Sequence, residues 1–167
     1  MAKAVIAVVA ALVLGGTGLA VHKGLFSGEQ AAVAPAGSLA ITIASANGKH
    51  RFVVERAATP AAQEKGLMYR TDLTPDGGML FWPYPAAGGG PREANFWMKN
   101  TPTALDIIFI RKDGTIARIA ENTVPFSEVP IPSGEPVGAV LEIMGGRSAA
   151  LGIAEGDRVT WEGGPKG

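Results

Sequence analysis

The sequence predicts a mainly β (α+β) fold, a compact antiparallel β-sandwich or barrel of about seven or eight short strands with two short helices. Short β-rich segments recur between turn signals such as Asn47-Gly48 and Asp113-Gly114, which favour tight hairpins. The pattern contains no long amphipathic segments that would serve as crossover helices. This argues against a parallel, doubly wound sheet.

Each element has a local reason. The alternating run 39–43 and the β-rich run 51–55 form the first predicted hairpin. Thr59 and Pro60 begin a helix of about two turns, which Gly66 ends. The remaining predicted elements are strands at 78–82, 95–98, 105–110, 116–120, 137–143 and 158–161, a Pro- and Gly-rich loop at 83–91 and a second short helix at 146–151.

The N-terminal segment is predicted to direct export. Lys3 is followed by eighteen uncharged residues, 4–21. This pattern is typical of a signal peptide over residues 1–21, cleaved after Ala20, or of an N-terminal membrane anchor, since a spanning helix needs roughly 17–25 residues. We therefore expect a periplasmic or otherwise exported protein, either cleaved and soluble or anchored in the inner membrane.

Three further regions follow this segment. Residues 22–37 contain small residues with Pro and Gly and no apolar periodicity, which predicts a flexible linker. Residues 38–162 form the predicted β-rich domain. Residues 163–167 are predicted to be a disordered tail.

Composition excludes several classes of function. The chain of 167 residues contains 15 Lys and Arg, 15 Asp and Glu, two His and no Cys. Without Cys there are no disulfides, thiolate zinc sites, iron–sulfur clusters or Cys nucleophiles. Without residues 1–34 the chain keeps 13 basic and 14 acidic residues, so no nucleic-acid partner is expected. His50 is then the single histidine, and no cofactor is predicted.

Six segments resemble a known family. The most specific is Phe96–Thr101, Phe-Trp-Met-Lys-Asn-Thr, and the others lie at 64–70, 78–81, 105–109, 141–146 and 152–157. In this order and spacing they are similar to the bacterial and archaeal family catalogued as domain of unknown function 192, over residues 39–162. Ala104 stands where the family pattern commonly has a proline. The resemblance implies a small β-rich fold, often exported, and brings no established activity, cofactor or partner.

The candidate binding site lies where the predicted strand 95–98 ends. Strand alternation would place Trp97 and Lys99 on one side, and together with Asn100 they would form an aromatic face beside hydrogen-bond donors. Such a surface suits a sugar ring or another polar ligand, and we include Arg70 and Asp106 in it. The alternative is that Trp97 belongs to the core, Lys99 pairs with a strand carboxylate and Asn100 holds the turn.

Asp106 and Glu142 lie in strands that are otherwise apolar, where a buried charge is costly unless it is paired. One interpretation pairs them with Arg70, Lys99 or Arg147. The other makes them the acid and base of a hydrolase, which requires two carboxylates about 5–10 Å apart across a substrate cleft.

Four methionines lie within or beside the family segments, namely Met68, Met79, Met98 and Met144. Thioethers select Cu(I), so Met68, Met79 and Met98 are the candidate metal ligands. Their spacing has no regularity, which favours the alternative that they fill gaps in the core.

Together these observations predict an exported protein of the bacterial envelope, a non-catalytic module that uses its Trp/Lys/Asn/Arg surface. Its partner would be a small molecule, a polysaccharide or an envelope protein, with membrane attachment through residues 4–21 if the segment is retained. The alternatives are a hydrolase of envelope polysaccharide that uses Asp106 and Glu142, and a structural partner of another protein that has no ligand.

Overall fold

The computed structural model describes residues 37–166, so the predicted targeting segment and nearly all of the predicted linker lie outside the described residues. The described part is mainly β, as the sequence predicts. Its elements in chain order are β1 (Ser38–Ser45), β2 (Gly48–Ala57), α1 (Pro60–Lys65), β3 (Gly78–Phe81), β4 (Arg92–Phe96), β5 (Leu105–Ile110), β6 (Ile116–Ala120), β7 (Ile131–Val137), β8 (Ala139–Met144), α2 (Arg147–Leu151) and β9 (Arg158–Trp161).

The short helix α1 follows the predicted capping pattern. The Thr59 hydroxyl accepts a hydrogen bond from the Ala62 N–H at 3.2 Å, and Pro60 is the first helical residue. At the other end, Gly66 has φ +48° and donates its N–H to the Ala62 carbonyl at 2.9 Å. This backbone conformation suits glycine, which is why the helix ends there.

Seven strands form one sheet in the order β6-β5-β8-β3-β2-β1-β9. All neighbouring pairs are antiparallel except β2 and β3, which are parallel. The sheet curls until its ends meet, because the Ile116 N–H donates to the Asp157 carbonyl and the Val159 N–H to the Gly114 carbonyl, both at 2.8 Å. The strands β4 and β7 form a separate antiparallel ribbon.

Both faces of the sheet are apolar, and β5 is buried at all six positions. All seven strands contribute to the inner core, which includes Ile41, Phe52, Leu80, Ile108, Leu141 and Val159. The outer core lies against the ribbon and α1, and it includes Leu67, Met79, Phe81, Ile107, Phe109 and Val140. Two layers of apolar side chains explain why the central strands lack an exposed polar face.

The structure differs from the sequence-based elements around the ribbon. The predicted strand 95–98 is shifted, because β4 ends at Phe96 and Trp97 and Met98 follow it. No strand is predicted at residues 131–136, whereas the structure has β7 there, with Pro132 and Pro136 inside it. Proline is excluded from central strands. A two-stranded ribbon pairs each strand on one side only, so it accommodates both prolines.

Residues 163–167 are predicted to be a disordered tail. The structure describes residues 163–166 of it, which follow β9. The Gly164 N–H donates to the Trp161 carbonyl at 3.1 Å. Within residues 37–166, none of the helices has the length and apolar character needed to cross a membrane.

Candidate functional site

A cleft of about 330 Å³ opens on the outer face of the sheet. Its walls come from α1, from the loop after β3 and from the end of β4, and we call it the α1 cleft. The apolar part of its lining includes Leu67, Met68, Phe81, Tyr84, Phe96 and Trp97. The lining also includes polar and charged side chains, and a concave site that combines apolar surface with placed polar groups is typical of small-molecule binding.

The wall of the cleft is held by the side-chain amide of Gln63 in α1. Its Nε2 donates to the carbonyls of Ala57 at 3.0 Å and Pro83 at 2.8 Å, and its Oε1 accepts the Ala86 N–H at 3.0 Å. The amide thereby joins α1 to the loop after β3. The shape of the cleft is therefore built into the fold.

Glu142 of β8 lines the cleft and is buried, with 4% of its surface exposed. Its Oε2 atom has no hydrogen-bond partner among the described residues. Burial raises the pKa of this carboxyl to about 8, so it is largely uncharged at neutral pH. A Cβ atom at Gly66 would lie 3.2 Å from Phe81 Cζ and 3.9 Å from Glu142 Oε2. Gly66 therefore lies close to both side chains, and its φ of +48° is a backbone conformation that favours glycine.

Trp97 and Lys99 lie at the rim of the cleft, as neighbours of each other. The Trp97 side chain is 47% exposed, so the alternative that placed it in the core is wrong. The Lys99 ammonium lies 5.2 Å from the centroid of the Trp97 ring and 3.7 Å from the Glu128 carboxylate. Lys99 therefore pairs with neither Asp106 nor Glu142.

Two more cations border the cleft, Lys65 at the end of α1 and Arg92 at the start of β4. Both are exposed, and neither forms an ion pair within residues 37–166. Glu64 is the one exposed acidic residue among the lining side chains of the described region. The border of the cleft is therefore positively charged overall.

Arg70 and Asn100 lie outside the α1 cleft, in contrast to the predicted surface. The Arg70 guanidinium donates to Asp72 at 2.6 Å and to Glu55 at 2.8 Å, and these carboxylates raise the pKa of Arg70 further above its usual range. Asn100 has φ +55°, and its carbonyl accepts the Tyr69 N–H at 2.7 Å. Asn100 therefore shapes the turn, as the alternative interpretation held.

Asp106 was predicted to be part of the binding surface, and this prediction is wrong because its side chain is fully buried. Its Oδ1 accepts N–H bonds from Asn122 at 2.7 Å and Gly146 at 2.8 Å, and its Oδ2 accepts the Ser148 N–H at 2.7 Å. The carboxylate thus joins the loop after β6 and the start of α2 to β5. The partners of Asp106 are therefore backbone N–H groups, and not the Arg or Lys side chains of the predicted ion pair.

The proposed catalytic pair of Asp106 and Glu142 is also wrong. In the antiparallel pairing of β5 with β8, Asp106 pairs with Ile143, an inner-core residue. Glu142 pairs with Ile107, an outer-core residue. Residues directly opposite each other in a sheet share a face. The two carboxyl groups therefore lie on opposite faces and share no cleft. The third predicted cation, Arg147, pairs with Asp76 at 2.6 Å.

The methionines follow the core-filling alternative at two positions. Met79 and Met98 are buried in the outer core, and Met98 Sδ lies 3.0 Å from the Thr123 hydroxyl, which donates to the Leu105 carbonyl at 2.8 Å. Met68 lines the α1 cleft. Residues 37–166 contain no group of three or more His, Cys, Asp or Glu side chains that could hold a metal ion.

A further surface beside the cleft was not predicted. Tyr69 and Phe126 are 72% and 63% exposed and have positive φ of 64° and 60°. Each donates its N–H to the segment that follows Trp97, Tyr69 to the carbonyl of Asn100 and Phe126 to that of Thr101 at 3.1 Å. A positive φ is uncommon for bulky residues, and the sequence gives no local signal for it.

Comparisons with known proteins place this geometry in a family. Residues 42–161 match the model of the DUF192 family, described as an uncharacterized ACR. No curated protein matches the chain.

Several solved structures are similar to this chain, including the following two. A Sinorhizobium meliloti protein, provisionally described as a transcription regulator, is 44% identical with a TM-score of 0.70, over 75% of this chain and 95% of that chain. A Novosphingobium aromaticivorans protein of unknown function is 46% identical with a TM-score of 0.69, over 74% and 85%. The chain therefore belongs to the DUF192 family, domain of unknown function 192.

Proposed function

We propose that this chain is an exported binding module of the bacterial envelope and that a small polar ligand of the saccharide type occupies the α1 cleft. The observation that carries this proposal is the Glu142 carboxyl, which is buried in the cleft with its Oε2 unpartnered. Most buried polar groups in proteins have a partner, so such an oxygen calls for an explanation. A ligand hydroxyl or carboxylate would supply the partner once the carboxyl group turns toward the cleft that Glu142 lines.

The aromatic side chain at the rim supports the saccharide class. Trp97 presents a half-exposed ring beside the Lys99 ammonium, and Asn95 adds an exposed amide to the same lining. Sugars offer apolar C–H faces to aromatic rings and hydroxyl groups to polar side chains. Trp97 and Lys99 therefore keep the role that the sequence assigned to them, with Glu142 as an additional member.

Ligand binding can be tested by thermal melting of the purified full chain against a panel of mono- and disaccharides. A ligand present at 100 times its Kd adds about 2.7 kcal/mol to the free energy of unfolding, which is a readily measured increase in Tm. We expect Trp97→Ala to abolish this increase while its own Tm stays within a few degrees of the parent. Phe126→Ala is the matched control, because Phe126 is an exposed aromatic residue outside the cleft.

The ligand-binding proposal fails if no saccharide raises Tm. It also fails if Phe126→Ala reduces the shift as much as Trp97→Ala does, since the response would then not come from the cleft.

Export is tested separately with a C-terminal reporter that is active only outside the cytoplasm. The full chain should give a signal, and a chain without residues 1–21 should give none, because residues 4–21 are the uncharged segment. Equal signals from both chains would contradict export through this segment.

A further inference from the structure

We infer that the α1 cleft takes a carboxylate-bearing ligand, a sugar acid rather than a neutral or amino sugar, whose anionic group lies between Glu142 and the cations at the rim. This inference rests on the proposed function and adds the charge of the ligand to it.

The first argument is the charge around the opening. Lys65, Arg92 and Lys99 border the cleft, against the single exposed carboxylate of Glu64 in the described lining. Lys99 has an ion-pair partner, Glu128, but the distance is 3.7 Å and both side chains are well exposed. Exposed pairs of this kind contribute little, so Lys99 can turn to a ligand at small cost. The rim therefore favours an anion over a cation.

The second argument is the state of Glu142. No Lys or Arg of the described chain forms an ion pair with it, and burial favours its uncharged form. The protonated carboxyl is a hydrogen-bond donor, and a ligand carboxylate is among the strongest acceptors it could meet. An ammonium group would have to pass the three rim cations before it reached this carboxyl.

The third argument is that both features act on one ligand. A neutral sugar could satisfy Glu142 through a hydroxyl but would leave the positive rim unused. A sugar acid satisfies both, and its ring can still lie against Trp97, which lines the same cleft. The α1 cleft thus combines an aromatic surface, an acid in its protonated form and a cationic border.

A pH dependence follows from this arrangement. An anion bound beside Glu142 stabilises the protonated form, so the pKa of this carboxyl rises above about 8 in the complex and binding takes up a proton. The affinity should therefore fall by up to about tenfold per pH unit above pH 8. The other charged or titratable groups that face the cleft are Glu64, Lys65, Tyr84, Arg92 and Lys99.

The test is isothermal titration calorimetry of the full chain at pH 6 with D-glucuronate, D-glucose and D-glucosamine, three sugars of similar shape that are anionic, neutral and cationic at this pH. We expect glucuronate to bind about tenfold or more tightly than glucose, and glucosamine to bind more weakly than glucose. At pH 8 the heat with glucuronate should vary with the ionisation enthalpy of the buffer, as proton uptake requires.

Two variants assign the effect to residues. Glu142→Gln keeps an N–H donor without a titrating proton, so glucuronate should still bind at pH 6 and the loss of affinity above pH 8 should disappear. The double variant Lys65→Ala/Arg92→Ala changes two exposed side chains, which keeps the fold intact, and it should reduce the preference for glucuronate over glucose to within about threefold.

The outcomes separate the two proposals. Equal affinity for glucose and glucuronate, lost in Trp97→Ala, overturns the charge inference and leaves the ligand-binding proposal standing. Preference for glucosamine, with proton release, overturns the charge inference in the same way. If none of the three sugars and no member of the saccharide panel binds, both proposals are overturned.

Discussion

Asp106 and Glu142 are buried carboxyl groups in neighbouring strands of one sheet, yet their surroundings are opposite. The Asp106 carboxylate accepts three backbone N–H bonds at 2.7–2.8 Å. The Glu142 Oε2 has no partner in the described chain, and Glu142 lines a cleft. The contrast shows that an acidic residue in an apolar strand can be there for either of two reasons, to hold the backbone together or to face a ligand site. Its partners, rather than its burial, distinguish them.

The largest expected effect is at Asp106. Asp106→Ala removes the acceptor of the buried Ser148 N–H and of two part-buried backbone N–H groups. A buried donor without an acceptor costs about 1–3 kcal/mol and a part-buried one costs less, so the free energy of unfolding should fall by at least about 2 kcal/mol. Urea denaturation measures this loss. Asp113→Ala is the control, because Asp113 also accepts a backbone N–H, from Thr115 at 2.9 Å, but is exposed and should cost much less. A loss below about 1 kcal/mol in Asp106→Ala would contradict the structural role.

Glu142 should have the opposite signature, a stability that falls as pH rises. Its pKa is about 8 in the folded protein, against 4.5 for the ordinary carboxyl. Between these values the folded state binds more protons than the unfolded state, so the free energy of unfolding should fall by roughly 1.4 kcal/mol per pH unit from about pH 5 to pH 8 and then level off.

The Glu142→Gln variant isolates this contribution, because glutamine has a similar shape and does not titrate. Urea denaturation at pH 5, 6, 7 and 8 should show a smaller decline in the variant than in the parent chain. The slope of the free energy of unfolding against pH should therefore be shallower in the variant. Relative to the parent chain, the variant should be more stable at pH 8 than at pH 5. Equal slopes would mean that Glu142 ionises normally in the fold.

The smallest expected effect on stability is at Lys99. Lys99→Ala removes an exposed ion pair with Glu128 and a cation–π contact with Trp97, so the free energy of unfolding should change by no more than about 1 kcal/mol. Binding of D-glucuronate should nevertheless weaken, as calorimetry would show. A large loss of stability would place Lys99 with Asp106 on the structural side of the comparison.

The fold was predictable where the signals are local. The turn between β1 and β2, the Thr59 and Pro60 helix start and the turn at Gly114 act over a few residues, and the structure confirms the elements they predict. The ribbon was less predictable. The strand β7 contains two prolines, and only its pairing with β4 shows that they lie where a strand tolerates them.

The candidate site was predictable in part. Trp97 and Lys99 belong to the most specific family segment, and both line the cleft. The family segment 64–70 also contains cleft residues, so its resemblance to the family was the sequence signal that could have identified Lys65 and Gly66. Arg92 lies outside all six segments and gave no signal. The pairing of Arg70 with Asp72 and Glu55 could not be read from spacing, because Glu55 belongs to a different element.

The sequence by itself determined the mainly β class, the positions of most strands along the chain and the family. It also limited the residues that could carry chemistry, because the domain has no Cys. Only the tertiary structure decided which carboxyl meets backbone donors and which meets a cleft. Strand alternation separates neighbouring residues onto two faces without saying what covers each face. For Asp106 that answer comes from Ser148, 42 residues away, and for Glu142 from α1 and the end of β4. Contacts between such distant segments are set by the packing of the whole domain.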